Sequence, residues 1–247
     1  QSIILTRDIN TTDTCFIINV SNVVLDGGGY TLSGNGTGAG ITVNNSIDFQ
    51  VNNITIRNFL EVRNFTHGFN SSTFNGTVFN NSFNNNTYGL LINKLVGSNI
   101  SYNRAINNSR LGFNLTLTSG ETIPEVYNNT AQANGNIGFS IINYDAIIRL
   151  YNNTASNNTG NGFHLEGTEI FRAVDNKAQE NGGVGFYCLS VSGGNSNISN
   201  NQAILNTGNG FTLVSSNDYF TNNIARENGE NGFEFYNSNS IFKDNIA

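Results

Sequence analysis

A block with the spacing N-x-A-x-x-N-x-x-x-G-F occurs six times without insertion, starting at Asn103, Asn129, Asn153, Asn176, Asn201 and Asn223. The copies begin about 22 to 26 residues apart. A fixed period of that size marks a solenoid, in which each repeat buries its apolar side only against its neighbours. A looser copy reads from Asn80, with Ser82 in the Ala slot and Leu90 in the Phe slot, which puts Asn80 and Asn85 in the two Asn columns. Whatever the fold, equivalent block residues have to stack on one another.

Inside a copy the apolar period is two. Phe163 and Leu165 alternate with His164 and Glu166, as do Phe211 and Leu213 with Thr212 and Val214, the pattern of strands with one buried face. A second apolar column lies three residues ahead of each block, at Ile100, Val126, Leu150, Ala173, Ile198 and Phe220. The Ala slot is a third. Three inward columns per coil predict an all-β, three-sided parallel β-helix (a β-solenoid) of about ten coils. Residues 1–40 read as an opening turn and 41–247 as repeat coils of one domain, the last incomplete. The longest variable segments are Thr118 to Glu125, with the only proline at Pro124, and Val191 to Asn197. A further insertion is expected around Leu60 to Phe65. Solenoids gather insertions on one edge, which often binds ligands.

Asparagine makes up roughly a fifth of the chain. The spacing stacks Asn103, Asn129, Asn153, Asn176, Asn201 and Asn223 in one column, and Asn108, Asn134, Asn158, Asn181, Asn206 and Asn228 in another. Amides stacked at strand spacing donate and accept along the column, and Asn tolerates left-handed corners, so a structural ladder explains most of this content.

A net charge of -6 and a pI near 4.8 argue against nucleic acid as partner. No apolar run approaches the ~20 residues of a membrane span. Gln1 follows no initiator Met or signal sequence, which reads as a processed or trimmed chain. Cys15 and Cys188 fall many coils apart, beyond the ~7 Å reach of a disulfide, and are expected as unpaired, buried thiols.

The segment Val23-Val24-Leu25-Asp26-Gly27-Gly28-Gly29-Tyr30-Thr31-Leu32-Ser33-Gly34, followed by Gly40-Ile41, resembles the right-handed parallel β-helix family with pectin-lyase-like coils. The later blocks are similar to that family's repeats, and the nearest branch is the NosD-like, carbohydrate-binding and sugar-hydrolase one. The resemblance implies a right-handed coil. The scaffold also carries lyases, hydrolases, epimerases, adhesins and inert spacers, so it implies no single activity. A NosD-type link to copper would call for imidazole or soft ligands. His67 and His164 lie several coils apart and there is no Met. Neither a metal nor a cofactor is expected.

Glycoside hydrolysis needs two carboxyl groups roughly 5 to 10 Å apart. Glu166 and Glu234 are expected in one outward column with Leu189 and Val214 between them, and Glu180 and Glu227 are separated by Leu205. Glu166 and Glu169 come nearest to a pair. Glu125, Arg149 and Arg172 share an outward column and read as a surface ion pair with a like-charged neighbour. No residue is assigned as catalytic. Tyr127 and Tyr151, outward neighbours, are candidates for stacking against sugars.

N-x-[S/T] sequons are abundant. Candidate glycosylation sites are Asn10, Asn19, Asn35, Asn44, Asn53, Asn70, Asn75, Asn99, Asn107, Asn114, Asn128, Asn152, Asn157 and Asn197, with a further sequon at Asn64. Asn80 and Asn85 are sequons too, but as ladder members they are expected to be bare. The sequence shows no capping helix at either end, so either the natural chain is longer or the last coil of one copy stacks on the first of the next and, without closure, grows into a filament. The sequence thus points to an extracellular, cell-surface structural glycoprotein with covalent N-glycans that polymerises end to end. The alternative is a polysaccharide-binding or polysaccharide-degrading β-helix.

Overall fold

The computed structural model describes residues 1–44, 51–118, 123–144, 146–167, 171–190, 195–214, 217–236 and 239–247. All its named strands pair in parallel, in three sheets of 11, 10 and 10 strands, and every strand pairs with those three before and three after it. The chain therefore turns once per three strands, making ten coils and the first strand of an eleventh. No helix occurs among the described residues.

Coil 1 is Ser2–Ile4, Ile9–Asn10 and Phe16–Ile18, and coil 2 is Val23–Asp26, Thr31–Ser33 and Ala39–Val43. The expected single opening turn is thus a whole coil and most of another. Nor is there an insertion at Leu60 to Phe65. Glu61–Arg63 is the second-sheet strand of coil 3, flanked by Phe59 and Phe65 at 2% and 1% exposure. The irregular spacing there hid an ordinary coil. The residues left undescribed fall between the end of one third-sheet strand and the start of the next first-sheet strand. Parts of Thr118 to Glu125 and of Val191 to Asn197 lie outside the described residues, as does Glu169.

The core is one continuous stack. Phe113, Phe139, Phe163, Phe186 and Phe211 are each 0% exposed. Their rings stack face to face at 4.6 to 4.9 Å, continuing to Phe233, a separation set by the ~4.8 Å spacing of paired strands. The Ala column, also buried, lines the second sheet.

Two corners turn on a shared device, a residue in the left-handed region followed by a buried Asn. After the first sheet the pair is Asn128-Asn129 or Asn152-Asn153, and after the second it is Asn107-Asn108 or Asn157-Asn158. Asn129 shows how the buried member is satisfied. Its Nδ2 donates to Asn153 Oδ1 at 3.0 Å and to the carbonyl of Ile100 at 2.7 Å, and its backbone N–H also donates to Asn153 Oδ1, at 3.0 Å. Asn103, Asn153, Asn176, Asn201 and Asn223 repeat this bonding along the first corner. Asn108, Asn134, Asn158, Asn181, Asn206 and Asn228 form the ladder of the second.

Both ladders begin one residue later than the sequence suggests. Asn81 and Asn86, each 3% exposed, donate their backbone N–H to Asn103 and Asn108. Asn80 and Asn85 are the exposed left-handed residues before them, at φ 54° and 55°. Phe83, not Ser82, pairs with Ala105, while Leu90 still pairs with Phe113. Coil 4 is one residue shorter between its second ladder Asn and its Phe slot, so the repeat spacing counted back from Leu90 falls one residue ahead of each ladder Asn. One coil earlier the ladders stop. The N–H groups of Phe59 and Phe65 donate to Asn81 and Asn86 at 3.1 and 2.9 Å. Their rings take the space over Gly27 and Gly34, where a Cβ would come within 2.6 and 2.5 Å of ring carbons.

Candidate functional site

The outer face of the first sheet brings together most of the residues singled out for chemistry. Ile100, Val126, Leu150, Ala173, Ile198 and Phe220 point inward at 0 to 2% exposure, so their strand neighbours must point out. The register aligns Asn99, Glu125, Arg149, Arg172, Asn197 and Tyr219 in one outward column. Ser101, Tyr127, Tyr151, Val174, Ser199 and Thr221 form the next.

The Tyr127 and Tyr151 rings stack on each other, centroids 4.8 Å apart and planes 2° apart, and Tyr102 meets Tyr127 edge-on at 5.8 Å. Each of the two rings thus has one face covered by the other. Their polar ends remain. The Tyr127 hydroxyl accepts from Asn99 Nδ2 at 3.3 Å. Burial first, and then the charge of Glu125, push the Tyr151 phenol above its ordinary value.

Arg149 Nη1 lies 2.9 Å from Glu125 Oε1. Arg172 sits one coil further on, exposed, and has no acidic partner among the described residues. It opens a shallow groove of about 460 Å³ lined also by Asn195, Asn197, Tyr219 and Thr221. Tyr219 is 44% exposed there. An exposed guanidinium, two carboxamides and two hydroxyls make a donor-rich surface suited to a polyhydroxylated or anionic ligand.

A larger concavity, about 650 Å³, lies at the first corner of coils 2 to 5, between Gly28 and Gly29 on one side and Leu60, Asn80, Tyr102 and Arg104 on the other. Its carboxylate, Asp26, is occupied. Arg57 Nε is 2.7 Å from Oδ2, and the Gly28 N–H donates to Oδ1 at 2.9 Å. The signal for this pair was the Asp-Gly-Gly-Gly turn, which positions a backbone donor over the carboxylate.

On the third sheet the register corrects the expectation for Glu166 and Glu234. Glu166 pairs onward with Leu189, then Val214, then Tyr236. Glu234 belongs to the column of Thr212, Tyr187 and His164. Three coils, ~14 Å, separate the Glu234 and His164 positions, so Glu166 and Glu234 do not form a carboxyl pair. Each has local partners instead. Glu166 Oε2 is 3.0 Å from His164 Nε2, and Glu234 accepts from Asn209 Nδ2 at 2.6 Å and from the Tyr236 hydroxyl at 2.7 Å. Glu180, Leu205 and Glu227 occupy successive left-handed corners.

His67 stacks on Tyr88 at 5.3 Å, and burial lowers its imidazole below the ordinary value. Four coils, ~19 Å, separate it from His164. No group of three or more His, Cys, Asp or Glu able to hold a metal occurs among the described residues. Cys188 is buried and Cys15 half-buried, both are free, and burial raises both thiols. Among the described residues no helix is long and apolar enough to cross a membrane.

None of the sequon asparagines is buried, Asn64, Asn80 and Asn85 included. They differ in setting. Asn107, Asn128, Asn152 and Asn157 stand at left-handed corners, whereas Asn99 and Asn197 lie in strands, followed by Ser101 and Ser199 at 1% and 8% exposure.

The family model described as "Right handed beta helix region" matches residues 145–247. No curated protein matches the sequence. Among solved structures, the A-module of the Azotobacter vinelandii mannuronan C-5 epimerase AlgE4 superposes with a TM-score of 0.56 at 18% identity, covering 99% of this chain and 68% of that one. The AlgE6 A-module of the same organism gives 0.48 at 13% identity, covering 99% and 90%. The catalytic domain of a GH87 α-1,3-glucanase, in complex with tetrasaccharides, gives 0.47 at 13%, covering 99% and 63%. At such identities the likeness is one of fold. The three-sheet parallel topology, with the family match over residues 145–247 and the AlgE4 superposition, makes the fold of this chain a right-handed parallel β-helix.

Proposed function

We propose that this is an extracellular polysaccharide-binding β-solenoid that takes a sugar chain along the outer face of its first sheet, between coils 6 and 10. The observation that carries the reading is Arg172, an exposed guanidinium with no acidic partner among the described residues, set in a groove with Asn197, Tyr219 and Thr221. The Glu125–Arg149 pair and the Tyr127 and Tyr151 hydroxyls extend the same donor and acceptor surface along the axis, the direction a polymer needs. The fold shared with an epimerase of mannuronan supports the class of ligand. Affinity electrophoresis through gels containing acidic or neutral polysaccharides tests it. Retardation by at least one polysaccharide, relieved in Arg172→Ala and Tyr219→Ala, is the expected result. Unretarded migration in every gel, or retardation unchanged in both variants, would sink the reading.

End-on stacking of copies is the second reading. Electron microscopy separates the two. Filaments with an axial repeat near ten coils, ~48 Å, carry it, and separate rods exclude it.

A further inference from the structure

The left-handed corners explain why Asn stands where it does, since a short polar side chain tolerates φ near +55° better than others. They do not explain the residue two further on. At these two corners, ten left-handed positions are Asn, and seven of the ten have Ser or Thr two residues later. Those seven are Asn80, Asn128 and Asn152 at the first corner and Asn64, Asn85, Asn107 and Asn157 at the second. Seven further left-handed positions are not Asn (Tyr102, Ala133, Asp175, Glu180, Leu205, Glu227 and Asp244), and only Leu205 is followed by such a hydroxyl, Thr207. The hydroxyl therefore goes with the Asn and not with the corner.

Both ends of each triplet are reachable. The seven asparagines are exposed or half-buried, and so are Ser82, Thr130, Thr154, Thr66, Thr87, Ser109 and Thr159. The middle residue is the buried ladder Asn or, after Asn64, the buried Phe65, which fixes the triplet while its outer members face solvent. Asn99 and Asn197 lack this geometry, because their Ser101 and Ser199 are buried.

We propose that these seven corner asparagines are N-glycan attachment sites, so that coils 3 to 7 bear sugar along two edges while the same edges of coils 8 to 10 are bare. The donor is a lipid-phosphate-linked oligosaccharide. The Asn amide nitrogen bonds to its anomeric carbon, the bond from that carbon to the lipid phosphate breaks, the phosphate leaves with the electron pair, and the amide loses one proton. The distribution has a consequence for ligand binding. A glycan on Asn80 lies in the larger concavity, which Asn80 lines, whereas the groove at Arg172 and Tyr219 belongs to the bare coils.

The test is glycopeptide mass spectrometry on protein isolated from its own source, with Thr154→Ala and Thr154→Ser variants made in the same host. Sugar on most of the seven, with Asn99 and Asn197 unmodified, is expected. Thr154→Ala should lose the glycan on Asn152 and Thr154→Ser should keep it. Sugar on fewer than half of the seven overturns the proposal. So does equal occupancy at Asn99 and Asn197, or an Asn152 glycan that survives Thr154→Ala. Because the readout is mass, failure here leaves the polysaccharide-binding result standing, and the reverse holds as well.

Discussion

Asn181 lies so close over Gly162 of the preceding coil that a Cβ on Gly162 would stand 2.8 Å from its Nδ2, and 2.8 Å from the Cβ of Ala178. Three slots of the repeat thus have one cause. The corner Asn and the small Ala of one coil occupy the space that a Gly leaves open in the coil before. Gly112, Gly138, Gly185 and Gly210 meet their neighbours in the same way.

Gly162→Ala is therefore expected to destabilise the fold by about 1–3 kcal/mol, the usual range for overpacking a tight core. Gly29→Ala is the comparison, since a Cβ there meets nothing within 4 Å, although its φ of +80° adds a backbone penalty. Urea midpoints compare the two. Equal losses would mean that the contact with Asn181 is not what requires the glycine.

Asn153→Ala removes a middle rung. Asn153 Oδ1 accepts from both the backbone N–H and Nδ2 of Asn129, each at 3.0 Å, and its Nδ2 donates to the carbonyl of Val126 at 2.8 Å. Buried groups left unpaired cost about 1–3 kcal/mol each, so a loss on the order of 4 kcal/mol is expected. Because a solenoid couples only nearest neighbours, the two halves should also unfold less cooperatively, with a broader transition. Asn245→Ala, in the half-buried last rung, should cost clearly less. Similar losses at both positions would refute an account based on buried ladder bonds.

The repeat gave away the architecture because its period, its inward columns and its Gly-Asn contacts are all written at fixed spacing. It failed where a coil departed from that spacing. Coil 3 uses Phe59 and Phe65 in place of ladder Asn, which makes its spacing resemble an insertion, and coil 4 is one residue shorter, so the repeat spacing points to Asn80 and Asn85 instead of Asn81 and Asn86. The Arg172 groove was legible only in part. The repeat spacing puts Glu125, Arg149, Arg172, Asn197 and Tyr219 in one column, each four residues ahead of its block, but not Asn195 beside Arg172, because the segment ahead of Asn197 does not follow the repeat.

Left-handed geometry costs an ordinary L-residue roughly 1–2 kcal/mol. Leu205 sits at φ 57° with 45% exposure, so little apolar burial is lost on replacing it. Leu205→Asn should raise stability by about 1 kcal/mol, visible as a higher melting temperature. It also creates a new sequon with Thr207, so the measurement belongs on protein from a host that does not N-glycosylate. A lower melting temperature would show that Leu205 contributes packing that outweighs its backbone cost.

Asp26 supplies a pH dependence whose sign can be worked out. Burial acts to raise its carboxyl, but hydrogen bonds from the Gly28 N–H, Asn58 and Arg57, together with the Arg57 charge, outweigh burial and hold it below the ordinary carboxylate range. A folded-state value below the unfolded one, near 3.9, means that the native protein holds fewer protons there. The stabilisation is present above the unfolded value and disappears as pH falls through the folded one. Asp26→Asn should therefore cost on the order of 1 kcal/mol at pH 7, modest because Arg57 is 43% exposed. The gap between wild type and variant should close as pH falls below about 4. Urea midpoints at pH 7, 5 and 3 measure it, and a gap that stays constant across that range would show that Asp26 acts through shape and hydrogen bonding rather than through its charge.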